Sequence, residues 1–312
     1  MILSESRKWD IFIIANLIIW WFFPIISKIL VTQMNYIFAL WISALFASIY
    51  FFIVFFLKKE WKYFSKHKDW KYLLIHSLIN WIIFYSLIFY WLQHTTAING
   101  SIFGLTEIFF SYLFFWFIFT KDTSKLHEII WTILIVIWTI YIIFPWNIQV
   151  NLWDLMIIIA MAIVPFWNQC TKLAARTFSS NFIMLIRSII TSIFLISVWF
   201  IFFQAPELET IKSLYLELII SWVLIFGLSK QLLVEWMKRL SVPRASSFLP
   251  LYPILTIFYG MIFYSIYPDF SQFTWLIPMI IWVIFLFNQK IFNKVFFIEN
   301  KNILKKIIWF FK

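Results

Sequence analysis

A single cysteine, Cys170, stands in the whole chain of 312 residues, so the chain can form neither an intramolecular disulfide nor a cysteine-cluster metal site. The four histidines, His67, His76, His94 and His127, are dispersed, which argues against a catalytic metal centre. No Gly-rich phosphate loop exists to let ATP power the chain directly, and neither His-Glu-x-x-His nor Gly-x-Ser-x-Gly occurs. Glycine is scarce, at four residues. Charge is scarce too: charged residues make up 12%, against about 25% in a soluble domain. No soluble stretch is long enough to add an enzyme, and nothing in the sequence asks for a cofactor.

What fills the space instead is apolar. Hydrophobic residues make up 63% of the chain, and the mean hydropathy is +0.90. A hydrocarbon core roughly 30 Å thick needs about 20 apolar residues per helix. Ten such runs fall at about 11–31, 36–57, 72–92, 96–120, 127–144, 153–171, 180–203, 214–236, 246–266 and 273–289. They are continuous rather than alternating, which disfavours a β-barrel. The first follows Arg7 and Lys8 but lacks a small-residue cleavage site, so it is read as the first span rather than a signal peptide.

Lysines and arginines are sorted into every second gap between these runs. The gaps at 1–10, 58–71, 121–126, 172–176, 238–244 and 290–312 are basic, whereas those at 32–35, 93–95, 145–152, 204–213 and 267–272 hold only Lys212. Cytoplasmic loops carry the Lys/Arg excess, so the alternation predicts an even number of spans in the cytoplasmic membrane with both termini inside. Of the 25 basic residues, 21 lie on the side of the termini. The net charge of +11 is explained by this bias and by the anionic leaflet, without any nucleic acid.

The ten runs divide into two five-helix units, 11–144 and 153–289, joined by an external linker at 145–152. Because five is odd, the second unit enters the membrane from the opposite side, an inverted repeat. An offset of about 146 brings Met34-Asn35-Tyr36 onto Ser180-Asn181-Phe182 and Trp41 onto Arg187; an offset of 145 brings Ser101-Ile102-Phe103 onto Ser246-Ser247-Phe248. The fold expected is therefore all-α and integral to the membrane, with ten transmembrane helices as two inverted five-helix repeats. The segment 1–10 is read as a cytoplasmic N-terminus. The tail 290–312 is read as a cytoplasmic basic amphipathic helix anchored on the inner leaflet.

With that layout, the stretch Ile19-Trp20-Trp21-Phe22-Phe23-Pro24-Ile25-Ile26-Ser27-Lys28 and the run Thr95 to Phe110 around Gly100, Gly104 and Glu107 are telling. In them the chain resembles the drug/metabolite transporter superfamily in its ten-helix EamA-like form. The resemblance spans nearly the whole chain. It departs at Ile108, where a proline is usual after the glutamate, and at Tyr252, which precedes Pro253 where the glutamate would stand in the second copy. The resemblance implies a transporter, not an enzyme.

Ionisable side chains near a helix centre cost about 2.5–3.5 kcal/mol on insertion scales, so each needs a partner, a cavity or a task. Glu107 lies at the centre of its run, below a stripe of Gly100 and Gly104. It is either a packing residue hydrogen-bonded to a neighbour or a cavity carboxylate that binds a cationic group or a proton. Arg187 sits about two turns inside the seventh run and cannot shed its proton. It calls for an anion: Glu107, a carbonyl cluster, or a substrate carboxylate or phosphate. Lys230, on the face of Trp222 and Phe226, either snorkels to the cytoplasmic surface beside Glu235 or joins the site. Lys28 snorkels at the outer edge. Asn16 and Trp20 share a face of the first run with Phe23 and Ser27, and Asn80 shares one of the third with His76. Trp20, Trp167, Trp222 and Tyr252 are candidates for an aromatic cavity wall, or else face lipid and neighbouring helices.

These residues point to a secondary transporter for a small polar metabolite. The mixed charge of Glu107, Arg187 and Lys230 favours an amino-acid-like, zwitterionic or anionic substrate, moved by alternating access with proton coupling or exchange. The alternatives are a flippase for a lipid-linked substrate or a membrane-embedded lipid enzyme. The partners expected are a small-molecule substrate and the lipid bilayer, with no nucleic acid, in a monomer or a homodimer.

Overall fold

The computed structural model describes residues 5–66, 68–117, 152–204, 206–238 and 251–268, with the single positions 270 and 277. The described residues are helical and contain no strand. Six helical stretches are long and apolar enough to cross a membrane: Ile14–Gln33, Tyr36–Leu57, Trp70–Gln93, Met156–Ala174, Ser180–Phe202 and Tyr215–Met237. They coincide with the first, second, third, sixth, seventh and eighth runs. The ninth run contains a shorter apolar helix, Ile254–Tyr264. The fifth run, the tenth apart from Ile277, positions 145–151 of the linker, and the tail 290–312 lie outside the described residues.

Burial is arranged for lipid rather than for water. Large apolar side chains are left on the outside of the helices, among them Phe52, Ile53 and Phe56 of the second run and Phe200, Ile201 and Phe202 of the seventh. Polar groups are inside: Asn16, His76, Asn80, Asn168, Arg187 and Lys230 are all buried. In hydrocarbon an outward apolar face costs nothing, and polar groups are driven to find one another.

Contacts repeat when the two halves are exchanged. The second run, Tyr36–Leu57, packs extensively on the seventh, Ser180–Phe202, and each packs on the middle of the other half's third helix. The start of the first run packs on Lys230–Met237, and its counterpart Leu152–Ala174 packs on Tyr85–Gln93. Even the helix starts correspond. Asn35 Oδ1 accepts from the Ile37 amide at 2.9 Å, and Ser179 Oγ accepts from the Phe182 amide at 3.0 Å. Each cap satisfies an amide that the helix cannot.

Among the described residues, four of the runs depart from regular α-helix. The first is broken at Trp21-Phe22, between Glu5–Trp20 and Phe23–Gln33, and resumes with Pro24 in its first turn. The fourth is broken at Gly104-Leu105, between Ala97–Phe103 and Thr106–Phe117. The third widens into a π-helix over Ser77–Phe84, and the eighth over Ile220–Ser229. Such widenings recur at functional sites. The second π segment depends on Gly227, where a Cβ would lie 2.9 Å from the Trp222 carbonyl oxygen and 3.4 Å from the Tyr50 ring.

At one end of the bundle, carboxylates hold the turn that leads into the seventh run. Glu60 Oε2 accepts from Ser179 Oγ at 2.9 Å and Asn181 Nδ2 at 3.0 Å, and Asp69 Oδ2 accepts from Thr177 Oγ1 at 2.5 Å. Glu235 Oε1 accepts from Ser180 Oγ at 2.5 Å and pairs with Lys238 at 2.9 Å.

Because the atom facing Gly227 is backbone, it cannot step aside. Gly227→Ala is expected to lower stability by about 1–3 kcal/mol, the usual range for overpacking. Thermal unfolding in detergent reads this directly, and an unchanged midpoint would mean that the π segment tolerates a side chain there.

Candidate functional site

The two breaks and the first π segment converge on one cavity of about 50 Å³. The first run contributes Trp20, Phe23 and Pro24, and the fourth contributes Gly100, Gly104 and Glu107. Phe84 closes the first π segment onto it, with Ile157 and Met161 from the sixth run and Tyr252 from the ninth. Glycine at 100 is required by this geometry: a Cβ there would stand 2.8 Å from the ring of the fully buried Trp91, another wall residue. The space holds only a few water molecules.

Glu107 sits in the first turn of Thr106–Phe117, immediately after the break, and is partly exposed to the cavity. The amide of Asn168 donates to its Oε1 at 3.4 Å. The glutamate is thus hydrogen-bonded by a neighbouring helix and lines a cavity.

Lys230 follows directly on the second π segment and is 4% exposed. It does not snorkel beside Glu235, which is engaged by Ser180 and Lys238 instead. Its Nζ lies 3.0 Å from the centroid of the Trp20 ring and 5.7 Å from that of Tyr85. Trp20 is stacked on Phe23 at 4.4 Å, and Tyr85 stands edge-on to it at 6.4 Å. Asn16, one turn before Trp20, accepts from Ser229 Oγ at 2.7 Å and so ties the first run to the eighth beside the lysine.

Arg187 is fully buried, with its guanidinium carbon 4.6 Å from the centroid of Trp81. Among the described residues its Nε and Nη2 have no hydrogen-bond partner, and it has no carboxylate partner. Nor does Asn80, beside Trp81 in the π segment, find a partner for either amide atom. Lys230 lies within electrostatic range of both Arg187 and Glu107, and Tyr85 within range of the same two. His76 is fixed through Nδ1 to Thr171 Oγ1 at 2.7 Å, and its ring faces Trp167 at 5.7 Å.

The sequence-derived set is thus brought together unevenly. Glu107, Trp20 and Tyr252 line the cavity; Lys230 and Asn16 lie behind its wall at Trp20; Arg187 stands on Trp81, with Asn80 and Trp167 around His76 and Trp81. Trp222 is placed apart, stacked on Phe46 at 3.7 Å. Lys28 donates to the carbonyls of Leu92 at 2.8 Å and Gln93 at 3.2 Å, capping the end of the third run. Tyr85 and Trp81, which hold the two buried cations, escaped the sequence reading. An offset of 145 would have flagged them, since it sets Tyr85 against Lys230 and Trp81 against Phe226. Trp81 and Phe226 meet across the halves at 4.6 Å.

The sequence model of the EamA-like transporter family matches twice, over residues 7–144 and 151–288. No curated protein matches the sequence. A solved structure titled only "Crystal structure of protein" superposes with a TM-score of 0.73 at 10% identity, over 92% of this chain and 99% of that one, which is a likeness of fold. With the family model covering nearly the whole length in two copies, the chain belongs to the EamA-like transporter family, within the drug/metabolite transporter superfamily, and is a multi-pass membrane protein.

Proposed function

We propose that this transporter is a secondary carrier for a small polar metabolite with negative charge, zwitterionic or anionic and of amino-acid size. The observation that carries the reading is the pair of buried cations, Arg187 and Lys230. Neither has a carboxylate partner among the described residues, and Lys230 stands against Trp20, a wall residue of the cavity that presents Glu107. A buried guanidinium with open N–H groups costs stability, and a substrate anion would recover that cost on binding.

The breaks in the first and fourth runs support the same reading. Discontinuous helices bring backbone polar groups to transporter sites, and they permit one half to rock against the other. In this reading ten helices in the cytoplasmic membrane, with both termini inside, form two inverted units, 11–144 and 153–289. The cavity is reached from the outside while the carboxylates Glu60, Asp69 and Glu235 hold the inner end closed. Glu107 takes up and releases the coupled proton.

Proteoliposome counterflow with a panel of labelled metabolites, with and without a pH gradient, tests this. Uptake is expected for an anionic or zwitterionic solute, and to fall by at least about tenfold in Arg187→Met and Lys230→Met, the loss of about 1.4 kcal/mol of binding. Glu107→Gln is expected to exchange solute but not to respond to the pH gradient. Movement of a lipid with no uptake of any solute would sink the carrier reading, and an intact pH response in Glu107→Gln would remove that residue from coupling.

A second measurement separates a binding role for Arg187 from a structural one. Replacing buried charge by an apolar side chain of similar volume often stabilises, by about 1–4 kcal/mol. Arg187→Met is therefore expected to raise the thermal midpoint in detergent while transport falls. A lowered midpoint would make Arg187 a structural residue.

A further inference from the structure

Lys230 is held by aromatic faces rather than by a carboxylate. Its ammonium stands 3.0 Å from the Trp20 centroid, with Tyr85 at 5.7 Å; Phe23 packs on both rings and Phe226 on Tyr85. A cation within about 6 Å of a ring is attracted by the negative π face, and cages of such rings are what ligand ammonium groups seek. Here the cage is already filled by the protein's own side chain. It adjoins the solute cavity, because Trp20 belongs to both.

The two halves contribute to this arrangement from one position. Tyr85 is the first residue after the π segment Ser77–Phe84, and Lys230 is the first after the π segment Ile220–Ser229. One half thus supplies an aromatic wall, and the other, at the equivalent place, supplies the cation set against it. The second buried cation, Arg187, is covered in the same way by Trp81 of the first π segment.

We propose that Lys230 is an internal cation that occupies the aromatic box of Trp20 and Tyr85, closes it to solute ammonium groups, and so sets the substrate class as organic anions, carboxylates or phosphate esters without an amino group. This rests on the carrier reading above and narrows it by excluding zwitterions. Removing the lysine leaves a vacant box with Glu107 in electrostatic range, a site for an alkylammonium.

The test uses binding rather than flux, so its failure is distinct from failure of the carrier reading. Full-length protein in detergent is unfolded thermally against n-propylammonium chloride, which matches the arm removed in Lys230→Ala. Sodium chloride at equal ionic strength and n-propanol serve as controls. Wild type is expected to show no saturable shift, and Lys230→Ala a saturable rise of about 2–4 °C in Tm that is absent when Trp20→Ala is added. Lys230→Arg, which keeps the box filled, is expected to behave as wild type. Should Lys230→Ala not fold, Lys230→Met with methylammonium replaces it, since the thioether keeps most of the stem and vacates only the ammonium position. A saturable shift of wild type by the alkylammonium, an equal shift of the variant by n-propanol, or no shift in a folded variant would each overturn the proposal.

Discussion

An ammonium or guanidinium group taken out of water loses its hydration shell, and the protein must replace what was lost. In this molecule aromatic faces supply the replacement. Trp20 and Tyr85 hold Lys230, and Trp81 holds Arg187. Much of the interior follows from that constraint. The rings must be brought to the cations at a particular depth, so the helices that carry them depart from regular α-helix there. The π segments Ser77–Phe84 and Ile220–Ser229 carry Trp81 and Phe226 into contact and end directly at Tyr85 and Lys230. The breaks at Trp21-Phe22 and Gly104-Leu105 bring Trp20 and Glu107 to the same cavity.

The scaffold is symmetric and the chemistry is not. Exchange of the halves preserves which helices pack on which, and it preserves the capped starts at Asn35 and Ser179. The residues placed at equivalent points differ: Tyr85 against Lys230, Trp81 against Phe226, Trp41 against Arg187. A two-fold arrangement of identical cations would repel across the axis. Setting an aromatic ring from one half against a cation from the other turns that repulsion into attraction, and it leaves Glu107 as the carboxylate within range of Lys230.

The hydrophobic runs were legible because a bilayer imposes a minimum apolar length, and each of the six described spans falls where a run was read. The repeat was legible too, since the family model returns it as two matches of equal extent. Facing was less so. Trp222, Phe226 and Lys230 share a face only if the helix between them is α. Over Ile220–Ser229 it is π, so Trp222 turns towards Phe46, Phe226 packs with Trp81 and Tyr85, and Lys230 reaches Trp20. Glu235 was near Lys230 in sequence, yet Ser180 and Lys238 take it. Local spacing does not reveal that a distant helix offers a better donor.

The sequence by itself determined that the chain is a bundle of apolar helices in two related halves, and that Glu107, Arg187 and Lys230 are charges needing an explanation. These follow from composition, run length and loop charge, which are local properties of the chain. Tertiary structure alone decided what answers each charge. It gave Arg187 the face of Trp81, Lys230 the faces of Trp20 and Tyr85, and Glu107 the amide of Asn168 beside the cavity. Those partners come from helices far apart in sequence, and where π turns and breaks re-aim the side chains, only the packed bundle shows which residues meet.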